Sequence, residues 1–499
     1  MNRPLQDKEM KDQGLFVLYL AILLWAPLPL GCNRAGSSGL LAAMAFGLGT
    51  LWLILLAHDR ATMTRALRKA SGVIGLWGLL IAYVFMQATV PWPADWTARG
   101  GEWQEAARLA GIDAGATIST DPDKTLSSAW LSLALALMFC LSLVLVRTQQ
   151  RLRIAGYALV AGGVLQSAYG IVSALGDGSI EVASGTYINR NHFAGHLEMT
   201  LAMGIGMLAG GRRLTSDAHG WRDWLRGGIR FMLSEKSMLR IGVLIMALGL
   251  ILSRSRMGNS AFMMSLTGVG LLYLLLSQGT FRLRLTLLWV SILALDIALL
   301  GSYFGLRELS ERLEATTVAE MDKRVDLGSL LYPYVQDFLP FGSGLGTFRR
   351  AFSSYYNEAF HVVYTNAEDE YLQFLGELGV GVLALPLLVL SSLWVAIQAL
   401  RRTEHIFIRG MSFAAVMAIV SLLIHSLVDF NLQIPANALM FVFMLSVCWL
   451  TRYIPDETSD EKRVAAHAEA DGRDFGQSRR RRSRRRGSRS PATQDALSL

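Results

Sequence analysis

The chain predicts an all-α polytopic membrane protein with about twelve transmembrane helices and a large, partly helical loop outside the membrane. Three observations carry that expectation. Of 499 residues, 52% are hydrophobic and only 17% charged, with a mean hydropathy of +0.37, which is too apolar for an ordinary soluble domain. About twelve apolar runs approach the ~20 residues that a helix needs to cross a hydrocarbon core of about 30 Å. Between two of these runs lies one long polar interval, Leu306 to Gln373, rich at once in charge, aromatics and glycine. The segments around it read as membrane helix, so this interval belongs in water on one face of the bilayer.

Taken in order, the expected spans cover residues 14–31, 38–57, 71–90, 125–146, 154–176, 192–210, 240–253, 258–277, 285–305, 375–398, 410–428 and 436–451. The first follows a mixed polar start without a small-residue cleavage site, so it reads as a retained span rather than a removed signal peptide. The seventh is short, and the place where it would break is near Ser253, before Arg254-Ser255-Arg256. Four regions result: helices one to nine in 1–305, a catalytic loop in 306–374, helices ten to twelve in 375–452, and a disordered basic tail in 453–499. Cys32, Cys140 and Cys448 lie in or beside apolar runs without CxxC spacing, which supports neither a disulfide framework nor a zinc site.

Lysine and arginine give the orientation, because cytoplasmic loops retain them. With the amino terminus inside, inner segments hold 34 of the 47 lysines and arginines and outer segments the other 13. Even short inner loops such as Arg147 to Arg153 and Arg401 to Arg409 are basic, so both termini are expected in the cytoplasm and the loop at 306–374 on the outer side. The net charge of +8 then calls for no nucleic acid. The arginine run from Arg479 to Arg486 reads as a positive-inside tail touching the inner leaflet. Outside, Pro91 to Lys124 carries Trp92, Trp96 and Trp103, residues that suit interfacial anchors.

Four polar clusters converge on the outer face. The first, Gly185 to Gly195, contains Asn189, Arg190, Asn191 and His192 at the entrance to the sixth span. His192 and His196 are four apart, a spacing compatible with a metal pair, but no accompanying signature supports a metal site. Arg190 with the asparagines suits an anionic or hydroxylated ligand, and an Asn-capped helix start explains the stretch equally well. The second cluster is Ser253 to Gly258. Arginine suits phosphate because its planar fork donates two parallel hydrogen bonds, whereas simple snorkelling is the structural alternative. Arg254 and Arg256 would point nearly opposite ways in a regular helix, so both serve one site only if the backbone breaks there.

The third cluster is the large loop. Glu308, Glu311, Arg312 and Glu314 suggest a solvent-facing amphipathic helix, with Arg324 beyond it. The GxGxG at Gly342 to Gly346 lacks the βαβ context of a nucleotide site and reads as a tight turn. Phe352, Tyr355, Tyr356, Phe360 and Tyr364 offer aromatic faces to sugar rings or to the interface. Glu368, Asp369 and Glu370 then raise one another's proton affinity, which suits a general base acting on a sugar hydroxyl; a solvated acidic helix start is the alternative. Tyr371 and Gln373 follow directly. The fourth cluster, His425 to Pro435, puts His425 and Asp429 on one helix face and fits a polar network as well as direct chemistry.

These motifs together resemble the O-antigen ligase and O-antigen polymerase superfamily, from about Asp121 to Trp449. The resemblance rests on Asn189-Arg190-Asn191-His192, Ser255-Arg256-Met257-Gly258, the turn at 342–346, Tyr371-Leu372-Gln373 with Glu377-Leu378-Gly379, and Asp429 to Gln433. It implies an inverting glycosyl transfer at the periplasmic face of the bacterial inner membrane, without metal or cofactor. The donor would be a glycan on undecaprenyl pyrophosphate and the acceptor lipid A–core or another lipid-linked glycan. By resemblance the pyrophosphate falls to Arg256 and Arg324, with Arg254 and Arg190 as neighbours, and the base to Glu368 and Asp369. Asn189, His192, Tyr371, Gln373, His425 and Asp429 are expected to hold glycan or a supporting polar network. Many ligases have His-Asn where this chain has Glu368-Asp369, a departure that strengthens a repeat-unit polymerase of O-antigen or exopolysaccharide as the alternative to ligation. A transporter for lipid-linked glycans is a further alternative, but it would place its functional charges near the bilayer midplane, and no internal repeat marks one.

Overall fold

The computed structural model describes residues 3–58, 63–93, 100–112, 117–176, 182–211, 234–276, 282–283, 286–287, 290–291, 330–356, 363–402 and 405–455. Among them there is no strand, and the chain is an all-α polytopic membrane protein. The helices are α1 (Arg3–Trp25), α2 (Ala35–Ala57), α3 (Arg65–Lys69), α4 (Ser71–Thr89), α5 (Gly100–Leu109), α6 (Pro122–Leu145), α7 (Gln149–Leu175) and α8 (Arg190–Gly210). They continue with α9 (Glu235–Leu252), α10 (Arg256–Leu276), α11 (330–338), α12 (Phe348–Ala351), α13 (Glu370–Leu378), α14 (Ala384–Arg402), α15 (Ile406–His425) and α16 (Pro435–Tyr453).

Side-chain oxygens begin many of these helices by accepting from otherwise orphaned backbone N–H groups. Asp121 does so for α6 with Pro122 behind it, Thr148 for α7, Asn189 for α8, Ser234 for α9 and Asp369 for α13. Among the described residues, eight segments are long and apolar enough to cross a membrane: α2, α4, α6, α7, α10, α15, α16 and the run Glu370–Arg401 through α13 and α14. About twelve were expected. The ninth expected span, 285–305, lies almost wholly outside the described residues, and the apolar part of α1 is the shorter Asp12–Trp25.

The sixth and seventh expected spans are helical, as α8 and α9, yet neither is among the eight. For α8 the cause lies in its surroundings. It packs on α7, α9 and α15 and also touches α10 and α16, so nearly every residue from His192 to Gly210 is buried by protein. A helix shielded from lipid can carry histidine and glutamate. Its contact with α15 is close because small residues meet there: a Cβ on Gly206 would lie 2.3 Å from the Gly410 carbonyl oxygen, and one on Gly410 2.2 Å from that of Gly206.

One end of this bundle carries a second small core. Leu331, Tyr334, Val335 and Phe338 of α11 pack with Phe348, Ala351, Phe352 and Ala367 to form a cap. Backbone hydrogen bonds join that end: Ala183 to Leu252, Ser119 to Gln87, Thr120 to Ser343 and Glu370 to Ser426. Residues at the starts of α2, α6, α8 and α16 face one cavity together with cap residues.

Candidate active site

Between α9 and α10 the helix is interrupted. Arg254 adopts φ 50°, Ser255 Nα–H donates to Ser253 Oγ at 3.2 Å, and Ser255 Oγ in turn accepts from Gly258 N–H at 3.2 Å. The break that the two arginines needed is therefore present. Arg256 opens α10 and is exposed, whereas Arg254 is half-buried. Gly258 brings this turn against α8, since a Cβ there would lie 2.6 Å from Ala194 Cβ. Arg324 lies outside the described residues, as do Glu308, Glu311, Arg312, Glu314, Trp96, Phe360 and the arginine run of the tail.

A buried polar chain connects α8, α15 and the turn into α16. His425 Nδ1 lies 2.7 Å from Glu198 Oε1, and Ser421 Oγ donates to Glu198 Oε2 at 2.6 Å. Asp429 follows, with Oδ2 3.8 Å from His425 Nε2 and Oδ1 3.3 Å from His192 Nε2. Burial pushes the Asp429 carboxyl up, but the hydrogen bond and charge of His192, the charge of His425 and the Phe430 N–H together outweigh it and hold Asp429 below its ordinary value. Asn437 Nδ2 extends the chain by donating to the His192 carbonyl at 2.9 Å and to Asn431 Oδ1 at 3.0 Å. Sequence reasoning named His192, His425 and Asp429 but missed Glu198 as their partner. The signal was a glutamate in the middle of an expected span, where an ionisable group calls for a partner. No group of three or more His, Cys, Asp or Glu side chains is arranged to hold a metal among the described residues.

The glycine-rich segment is a tight strap. Ser343 and Gly344 N–H groups donate to the Gly376 and Glu377 carbonyls, while Val380 N–H donates to Pro340 O. Gly342 (φ 81°) and Gly379 (φ 56°) face each other so closely that a Cβ on the first would lie 2.2 Å from Glu377 O, and one on the second 2.1 Å from Pro340 O. Beneath the strap, Glu377 Oε1 accepts from Phe348 N–H at 3.1 Å and from Gln373 Nε2 at 3.2 Å. Gln373 Oε1 accepts in turn from Ala367 N–H at 2.9 Å. Gln373 and Glu377 thus tie the two arms of the cap, at Ala367 and Phe348, to α13. Trp92 packs 5.4 Å from the Phe341 ring, so it braces the strap.

Asp369 is the N-cap of α13, its Oδ1 accepting from Leu372 N–H at 3.0 Å. Glu368, half-buried beside it, adopts φ 54°, and Ser426 Oγ donates to Glu370 Oε2. Tyr371 is 44% exposed and donates to the Leu423 carbonyl at 2.8 Å. Among the described residues, the non-glycine residues in the left-handed region are Leu30, Cys32, Arg254 and Glu368, all at the capped end of the bundle. Such conformations collect at functional sites, where the surrounding fold holds them.

Beneath the cap opens a cavity of about 1180 Å³. Its walls bring together Asn189, His192 and Gln373 from the sequence-named residues, with Phe430 and Gln433 of the last connection. Arg190, Arg254, Arg256, Glu368, Asp369, Tyr371, His425 and Asp429 are not among the lining residues. Its cations are instead Arg34, Lys124, Arg349 and Arg350, which sequence reasoning passed over. All four belong to the cation-poor segments expected on the outer side, and that rarity was the available signal. Cys32 also borders the cavity, but burial pushes its thiol up to about 12, so it stays neutral. Of the loop aromatics, Phe352 is core, while Tyr356 reaches the cavity wall and accepts from Tyr364 N–H at 2.7 Å.

Residues 241–387, from within α9 to the start of α14, match the family model described as O-antigen ligase. The match supports the O-antigen ligase and polymerase superfamily, a family of glycosyltransferase-like membrane enzymes, as the one to which the motifs point. The matched stretch holds the α9–α10 break, the strap and α13. No curated protein matches the chain.

Proposed function

We propose that the protein transfers a glycan from undecaprenyl pyrophosphate to an acceptor at the periplasmic face of the bacterial inner membrane, in assembly of O-antigen or a related surface polysaccharide. The observation that carries this reading is the capped, cation-lined cavity of about 1180 Å³ at one end of the bundle, roofed by the strap of the family-matched stretch. Lipid-linked substrates need such an arrangement, with a polar recess for the glycan and the lipid tail left in the bilayer.

In this reading Arg256, with Arg254, Arg324 and Arg190, holds the pyrophosphate. As the bond from the anomeric carbon to the phosphate oxygen breaks, negative charge grows on that oxygen, and fixed guanidinium groups stabilise it. The acceptor hydroxyl attacks the opposite face of the carbon, inverting it, and passes its proton to the Glu368 carboxylate. The left-handed backbone at both Arg254 and Glu368 supports functional placement of these two residues. Asp369 serves this scheme by fixing the start of α13, as its N-cap bond indicates.

The acceptor is lipid A–core for a ligase and another lipid-linked glycan for a polymerase. Glu368-Asp369 in place of the ligase His-Asn pair favours the polymerase as the second reading. Glycan profiling of a deletion strain, complemented with wild type, Arg256→Ala or Glu368→Gln at matched membrane levels, separates them. Full-length glycan accumulating on the lipid carrier indicates ligation, and single repeat units on the acceptor indicate polymerisation. Full complementation by both variants overturns the site.

A further inference from the structure

The four cavity cations remain unexplained by the proposed chemistry. Arg34 precedes α2, Lys124 lies in the first turn of α6, and Arg349 and Arg350 sit on α12, so three separate parts of the chain aim positive charge at one recess. All four are exposed, and the acidic member of the lining is Asp121, whose Oδ2 lies 3.6 Å from Arg350 Nη1. Even with Arg350 paired to Asp121, cations of one sign around one recess give it a positive field that draws anions. The expected outer segments hold only 13 of the 47 lysines and arginines, which makes their convergence here the less expected from composition.

A pyrophosphate alone does not match this lining. It would fill a small part of about 1180 Å³, and Arg254 and Arg256 stand elsewhere for it. The same walls carry Asn189, Asn366 and Gln433, amides that can donate to or accept from sugar hydroxyls, and Tyr356, an aromatic face. Charges spaced among amides fit an oligosaccharide carrying acidic groups. We propose that the cavity is a binding subsite for an acidic glycan, in which Arg34, Lys124, Arg349 and Arg350 pair with carboxylate or phosphate substituents on the sugars. This rests on the glycan-transfer reading and adds to it the charge class of the substrate.

Two measurements test it. The first is binding to the full chain in nanodiscs of oligogalacturonate, a mannose-6-phosphate oligosaccharide and a neutral malto-oligosaccharide of equal length. At least one acidic probe should bind tenfold or more tightly than the neutral one, which tells carboxylate from phosphate. Arg34→Gln and Arg349→Gln should each weaken it about tenfold, with unchanged melting temperatures. Equal binding of neutral and acidic probes, or acidic binding unchanged in both variants, overturns the proposal. The second is sugar analysis of the polymer lost on gene deletion. Uronic acid, ketal-linked pyruvate or phosphate supports the proposal, and a wholly neutral polymer overturns it. If deletion removes no polymer while acidic probes still bind through Arg34 and Arg349, the transfer reading fails and the acidic-glycan subsite stands.

Discussion

His425 Nδ1 lies 2.7 Å from Glu198 Oε1, and both side chains are wholly buried. The two residues are on α15 and α8, so the contact fixes one helix against the other. Buried polar groups that keep their partners specify a packing, and those that lose them are costly.

Glu198→Ala is expected to leave His425 and Ser421 without that carboxylate and to lower stability by about 1–3 kcal/mol, the usual penalty for an orphaned buried polar group. Glu198→Gln keeps an acceptor oxygen and should cost less. Thermal unfolding of the detergent-solubilised variants checks the order; a Gln variant that melts no higher than the Ala variant would show that hydrogen bonding is not the reason for the residue.

Asp429 gives a pH dependence. Its carboxyl titrates lower in the folded chain than the ~3.9 of an unfolded aspartate, so its contribution is fully present above about pH 4 and is lost as pH falls through the lower, folded value. Asp429→Asn should therefore lower the melting temperature at pH 6 and narrow the gap to wild type as the pH drops towards 3. A gap that stays constant over that range would rule out the linkage.

Glu377 holds the cap through Phe348 N–H and Gln373. Glu377→Ala should free the strap and α12 while the bundle remains folded, so protease should cut the cap region faster at a melting temperature lowered only modestly. Gly342→Ala should act at the same place more severely, because its Cβ would collide with the Glu377 carbonyl and its φ of 81° is strained for alanine. Unchanged proteolysis of both variants would contradict the strap's role.

Much of this fold was legible because membrane helices announce themselves by length and apolarity. α2, α4, α6, α7, α10, α15 and α16 fall within a few residues of expected spans, as does the broken run through α13 and α14. The α9–α10 break showed in Ser253-Arg254-Ser255-Arg256, since that charge density ends a span. The strap was readable as a turn from its glycines. What escaped was pairing across distance. Glu198 meets a residue 227 positions away, and Arg34 shares a cavity with Arg349, relations set by how α2, α8, α12 and α15 assemble. Local pattern carries no record of them. Asp369 shows the complementary limit: its acidity suggested chemistry, whereas its position one residue before α13 makes it a cap.

The most direct measurement uses the purified full-length protein in nanodiscs with a glycan linked to undecaprenyl pyrophosphate and labelled on the sugar. If Arg256 and Glu368 carry the transfer, free undecaprenyl pyrophosphate appears only when acceptor is added, label moves to the acceptor with inverted anomeric configuration, and Arg256→Ala and Glu368→Gln each cut the rate at least a hundredfold, about 2.7 kcal/mol of barrier, without loss of fold. Acceptor-dependent release that persists in both folded variants would contradict the assignment of these residues, and no release from the wild type with any lipid-linked acceptor would contradict glycosyl transfer itself.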